Sequence, residues 1–287
     1  MSSAVVRSIE SSDGVRLYFR HYAGEGQLRG IVVCLHGIQS HSRWYDYSSR
    51  RMAKAGYNVY FADRRGSGLN GWKRGHADHG MRLINDVRQL VRFAKRSQPA
   101  NESGSSQSLP VTLLGLSWGG KTAAAFAATY PHEIDRLALL YPGLLPRLKP
   151  NVWQKFLLWF AKSHDLRHKS VVIPLQDPAL FTDEREHQTS ILNDPLALHR
   201  VTSGFINSGR DLDRIVQHQL QSIHHPTLLM LAGKDAIIDN DRTAKLVSRF
   251  ASHVQTFRTY PDACHTLEFA ANRNEIVADL IDWLGSR

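Results

Sequence analysis

Cysteine is nearly missing from the chain: only Cys34 and Cys264 occur in 287 residues. A disulfide framework is therefore excluded as a source of stability, and a reducing compartment, the cytoplasm, is the expected setting. No stretch approaches the roughly 20 apolar residues of a membrane-spanning helix, and Met1 to Ser8 lacks the continuous apolar core of a secretory signal. Three motifs are also missing: a His-Glu-x-x-His pair, a spaced Cys and His set, and a glycine-rich dinucleotide fingerprint after the first strand. Neither a metal nor another cofactor is expected. Acidic residues are the minority, 26 against 36 Lys and Arg, for a net charge of +10. The basic residues are scattered in short doublets without an arm or a binding motif, so nucleic acid is not an expected partner. A basic face meeting anionic lipid or an acidic substrate fits the charge better. Oligomeric state is left open.

What is present is ample apolar material, 42% of residues, arranged as short runs. Val5 to Glu10 and Val15 to His21 alternate as an antiparallel hairpin should, with Asp13-Gly14 at its turn. Six further runs follow: Ile31 to Leu35, Tyr57 to Ala62, Val111 to Leu114, Leu137 to Leu140, Thr227 to Leu231 and Val254 to Arg258. Helical segments separate them, the clearest being the amphipathic Asp78 to Arg96. This pattern predicts an α/β fold, a mostly parallel eight-stranded sheet flanked by helices. Ser97 to Ser108 reads as a polar surface loop. The interval from Tyr141 to Pro226 is far longer than one crossover needs. It predicts a core of residues 1–141 and 226–287 carrying an inserted helical lid over 142–225. Within it Val152 to Phe160 holds large apolar groups that either pack on the core or line an acyl tunnel. Phe181 to Asn193 reads as a polar hinge or rim, and Leu196 to Ile206 as a second lid helix.

The chemistry is concentrated at Gly115-Leu116-Ser117-Trp118-Gly119. An apolar strand precedes this pentapeptide and an alanine-rich helix follows it, the context of a nucleophile elbow, where small neighbours admit a strained turn that thrusts the serine outward. In that architecture the acid and then the base follow the serine in chain order. Asp235, just past the Thr227 to Leu231 run, is the expected orienting acid, while Asp239 and Asp241 suit a helix cap before Arg242. His265, in the loop after the last strand, is the expected general base among 15 histidines. A serine hydroxyl is a poor nucleophile until a neutral imidazole takes its proton, and the imidazolium then needs a carboxylate. The oxyanion of the tetrahedral intermediate needs preorganised N–H donors. The amides of Trp118, directly after the serine, and of Ile38, in the loop after Ile31 to Leu35, are assigned to it. His36, Gly37, Trp44, Trp153 and Phe156 are the candidates to border the substrate, with His36 expected mainly to brace its loop. Asp63, flanked by Arg64 and Arg65, is expected to tie down a loop.

These residues resemble the α/β-hydrolases, specifically the serine hydrolases grouped with monoacylglycerol lipases, lysophospholipases and serine aminopeptidase-like proteins. The likeness covers most of the chain. It rests on His36-Gly37 with His41-Ser42-Arg43-Trp44-Tyr45, on Gly56 to Gly68, on the elbow with its extra Gly120, on Gly233-Lys234-Asp235 and on His265; Asn193-Asp194-Pro195-Leu196 is similar to a lid segment of that family. The resemblance implies Ser117, Asp235 and His265 as the triad, backbone donors at Ile38 and Trp118, and a small ester or lipid substrate such as a monoacylglycerol or lysophospholipid. An aminopeptidase or thioesterase of the same fold is the alternative, and a non-catalytic ligand receptor the alternative of another class. For an aminopeptidase, Asp177, Asp183, Glu184 and Glu186 are the candidates to hold a free amine. The chain departs from the family at Gly66-Ser67-Gly68, where Gly-His-Gly is usual, and at Lys121, where a small or apolar residue is common.

Overall fold

The computed structural model describes residues 4–98, 109–147 and 167–286. Within them the chain runs β1 (Val5–Glu10), β2 (Arg16–Tyr22), β3 (Gly30–Leu35), α1 (Asp46–Lys54), β4 (Tyr57–Ala62), α2 (Gly80–Arg96), β5 (Val111–Leu116), α3 (Trp118–Thr129) and β6 (Arg136–Leu140). It continues through β7 (Ser170–Val172), α4 (Arg185–Leu192), β8 (Arg200–Thr202), α5 (Ser203–His218), β9 (Thr227–Ala232), α6 (Asn240–Val247), β10 (Gln255–Tyr260) and α7 (Arg273–Gly285). Eight strands form one sheet in the order β1-β2-β4-β3-β5-β6-β9-β10. Only β2 runs against its neighbours; every other pairing is parallel. This is the mostly parallel eight-stranded sheet that the apolar runs predict.

Side chains alternate faces along a strand, and that parity divides the core. Ile31, Val33 and Leu35 of β3, with Leu137 and Leu139 of β6, pack into a cluster with residues of α2, α3 and α5. Their neighbours Val32, Cys34, Ala138 and Leu140 pack on the opposite side with α1 and α7. Strands covered on both faces have no polar side to present, which is why they read as continuous apolar runs. Helix α2 starts at Gly80 rather than at Asp78, because extended His79 caps it, its ring accepting from the Arg82 N–H at 3.1 Å.

Between β6 and β9 the structure differs from the sequence reading. The stretch expected as a polar rim contains α4, with Ile191 on its buried face. The expected helix from Leu196 to Ile206 is instead strand β8, paired antiparallel with β7, followed by a helix that begins only at Ser203. Thr202 sets that start, its hydroxyl accepting from the Phe205 N–H at 3.2 Å, as an N-cap does. Helix α5 packs on the core: Phe205, Leu212 and Val216 join the α2–α3 cluster, and Lys121 of α3 reaches Asp213 at 2.8 Å. The run Val152 to Phe160, and with it Trp153 and Phe156, lies outside the described residues, as does 99–108 of the polar loop. Among the described residues no helix is long and apolar enough to cross a membrane.

Candidate active site

Strand β5 ends where Ser117 must turn the chain directly into α3, and Ser117 adopts φ 48°, ψ −121°. A non-glycine residue there is strained and persists only where its surroundings hold it. They do: the Ser117 N–H donates to Leu140 at 3.0 Å, while its carbonyl accepts from Gly120 at 2.9 Å and Gly143 at 2.6 Å. The flanking glycines are required by close approach. A Cβ at Gly119 would collide with the Leu35 carbonyl, and one at Gly115 would lie 2.6 Å from the Gly119 oxygen.

The strand ends converge on this corner. His265, in the loop after β10, places Nε2 2.9 Å from Ser117 Oγ and Nδ1 2.8 Å from Asp235 Oδ2. Asp235, just past β9, is aimed by two backbone donors on its other oxygen, Ile237 at 2.8 Å and Ile238 at 2.9 Å. The carboxylate thus makes Nδ1 the protonated nitrogen of His265 and leaves the Nε2 lone pair facing the serine. Both side chains are essentially buried, with Asp235 4% and His265 1% exposed. Asp239 does cap α6, accepting from the Arg242 N–H at 3.1 Å.

Ile38 lines the cleft with Ser117, and Trp118 directly follows the serine as the first residue of α3. Gly37, Ile38, Trp44, Tyr45, Tyr141, Phe181 and Thr266 line the cleft with Ser117 and His265. Of the candidates to border the substrate, Gly37 and Trp44 line this cleft. His36 does not. It is buried behind the loop, with Nε2 accepting from the Arg64 N–H at 2.9 Å and Nδ1 2.7 Å from the Gly37 carbonyl. Burial, with the Arg64 charge beside it, holds its pKa well below the ordinary imidazole value, so it stays neutral and serves as a brace.

Asp63 ties its loop: it accepts from Ser42 N at 2.7 Å and Leu69 N at 2.9 Å. Trp44 is fixed from the segment after α4, its indole donating to Asp194 at 2.5 Å, and His41 reaches the same oxygen at 2.8 Å. Burial alone would raise the Asp194 pKa, but those two hydrogen bonds hold it down to about 2. Trp44 also borders a second groove, with His187, Ile191, Asp194 and Phe269 on its walls.

Several residues of the site are not apparent from sequence. Tyr141 directly follows β6 at φ 37° and packs edge-on against the His265 ring at 4.7 Å; its place at a strand's carboxyl end was the available signal. Phe181 reaches His265 from the β6–β9 segment, 6.0 Å between centroids, and no local pattern marks it. Glu268 is fully buried beneath the site, accepting from the Ser48 N–H at 3.0 Å, and burial pushes its carboxyl up to about 7.

A serine corner between strand and helix, on a mostly parallel sheet with the acid and histidine loops at its carboxyl edge, defines an α/β-hydrolase. The family model described as serine aminopeptidase, S33, matches residues 26–271, and the chain belongs to that family. It is 26% identical over 274 residues to a monoacylglycerol lipase of Mycolicibacterium smegmatis, covering 95% of this chain and 94% of that one. It is 24% identical to the human monoglyceride lipase over 96% of this chain and 89% of that one. Among solved structures, a soluble variant of the Saccharomyces cerevisiae monoglyceride lipase, in complex with a substrate analogue, superposes with a TM-score of 0.83 at 18% identity, over 99% of this chain and 96% of that one.

Proposed function

We propose that the protein hydrolyses carboxylic esters of the monoacylglycerol or lysophospholipid class through an acyl-enzyme on Ser117. The single observation that carries this is the continuous hydrogen-bonded chain Ser117–His265–Asp235, at 2.9 and 2.8 Å. Ser117 Oγ attacks the ester carbonyl as His265 Nε2 takes its proton. The tetrahedral oxyanion is held by the Ile38 and Trp118 N–H groups, and His265 returns the proton to the departing alcohol. Water, activated by the same nitrogen, then releases the acid. Asp235 holds the ring orientation and stabilises the imidazolium.

The substrate class follows from the lipase names of the relatives and from the cleft walls. The carboxylates expected of an aminopeptidase site, Asp177, Asp183, Glu184 and Glu186, all lie on the exposed surface rather than in the cleft. A free α-amine would find no anionic partner there among the described cleft residues. The 142–225 segment serves as the lid, and Trp44, anchored to it through Asp194, links lid position to the acyl site. Contact with an anionic lipid surface fits the +10 charge and the exposed Trp72 beside Lys73 and Arg74, at 56% exposure. The two free cysteines suit the cytoplasm.

A chain-length series of p-nitrophenyl esters, with wild type and Ser117→Ala side by side, tests the reading. Turnover that the substitution lowers by roughly 10⁴-fold or more is the expected result. No turnover on any ester would contradict it and redirect attention to aminoacyl amides.

A further inference from the structure

Arg64 has a role that its position in the chain does not suggest. Its side chain is partly buried behind the oxyanion loop, where Nη1 donates to the Gly37 carbonyl at 2.9 Å and Nη2 to the Ile38 carbonyl at 3.0 Å. Its guanidinium carbon lies 4.8 Å from the ring centroid of Trp118 and 4.8 Å from that of Phe205. The neighbouring Asp63 carboxylate favours its charge against the cost of burial, and its Nε has no hydrogen-bond partner. A guanidinium drawn out of water with one donor unsatisfied is costly, and such violations of local rules concentrate at functional sites.

The peptide geometry says what the charge is for. Carbonyl and N–H of one trans peptide point in opposite directions, so whatever holds the Gly37 oxygen aims the Ile38 N–H. Two donors converge on that oxygen, Arg64 Nη1 at 2.9 Å and His36 Nδ1 at 2.7 Å. A cation on the oxygen also polarises the peptide toward a stronger N–H donor. The same guanidinium packs on the side chain of Trp118, the residue directly after Ser117. Arg64 is not among the walls of the Ser117 cleft, so it acts through the loop and does not touch substrate.

We propose that Arg64 is a positioning residue for the oxyanion site: it orients and polarises the Ile38 N–H and places a positive charge behind the position where negative charge develops. This rests on the serine-hydrolase reading above. A preorganised charge of this kind stabilises the transition state more than the neutral ground state, so its loss falls on kcat rather than on KM.

The test measures kcat and KM on p-nitrophenyl butyrate for wild type, Ser117→Ala, Arg64→Met, Arg64→Lys and Arg64→Ala, the last with and without methylguanidinium, alongside thermal unfolding of each. Arg64→Met is expected to lower kcat about ten- to a hundredfold with KM changed less than about threefold. Methylguanidinium should restore at least about tenfold of the kcat lost in Arg64→Ala, and methylammonium should not, because only a planar fork bridges two carbonyls. Should Arg64→Met fail to fold, Arg64→Lys decides: it keeps the charge but loses the fork, so a lowered kcat at unchanged KM supports the proposal. Folded Arg64 variants with wild-type kcat, while Ser117→Ala is inactive, overturn this proposal alone. Turnover that survives in Ser117→Ala overturns the serine-hydrolase reading and this one with it.

Discussion

Glu268 shows how burial at one residue becomes a pH dependence of the whole molecule. Its carboxyl is raised to about 7 by burial, above the ordinary value of about 4.3 in an unfolded chain. The folded state therefore binds its proton more tightly than the unfolded state does, and the associated stability is complete below about pH 4.3 and lost as pH rises through about 7. Glu268→Gln keeps an oxygen for the Ser48 N–H and removes the titration. It is expected to raise Tm at pH 8, by at most about 4 kcal/mol in stability, and to leave Tm unchanged near pH 4. Thermal melts of both proteins across that range check the sign. A variant less stable than wild type at pH 8 would contradict it.

At the scale of elements, the α3–α5 contact adds a half-buried ion pair to its apolar packing. Lys121 is 8% exposed and meets Asp213 at 2.8 Å, and burial raises the Asp213 pKa against the pull of that lysine. Lys121→Met alone strands the carboxylate and is expected to cost about 1–3 kcal/mol, whereas Lys121→Met with Asp213→Leu should recover most of it. Urea unfolding of the single and double variants measures the difference. Lys121, a departure from its family at the level of sequence, thus has a structural partner 92 residues away.

The same scale explains what could be read in advance. The strands of the main sheet were legible because a strand buried on both faces, such as Ile31 to Leu35, must be apolar throughout. The elbow was legible because Ser117 needs Gly115 and Gly119 within a few residues, so its requirement is local. Asp235 and His265 were expected from chain order, and the structure places Asp235 beside His265 and His265 beside Ser117. Strands β7 and β8 were not legible, since three residues each, Ser170–Val172 and Arg200–Thr202, are too few to carry a period. Nor were Phe181 and the fork of Arg64: each depends on a contact made only in three dimensions, between segments with no shared local pattern.

For the molecule as a whole, charge makes the proposed contact with anionic lipid testable. A net charge of +10, with Trp72, Lys73 and Arg74 exposed on one loop, predicts binding to vesicles containing phosphatidylserine and little binding to neutral ones. Because long-range attraction is screened within about 10 Å at 0.1 M salt, sedimentation with anionic vesicles should fall steeply between 50 and about 500 mM NaCl. Binding that ignores both lipid charge and salt would remove electrostatic attraction from the account.

The proposed hydrolysis depends on Ser117 being a nucleophile activated through His265. The most direct measurement is peptide mapping by mass spectrometry after reaction with a fluorophosphonate, on wild type, Ser117→Ala and His265→Ala. The account predicts one stoichiometric adduct on the peptide bearing Ser117, none there in Ser117→Ala, and labelling slowed by orders of magnitude in His265→Ala. An unlabelled Ser117, or labelling indifferent to His265, would contradict it.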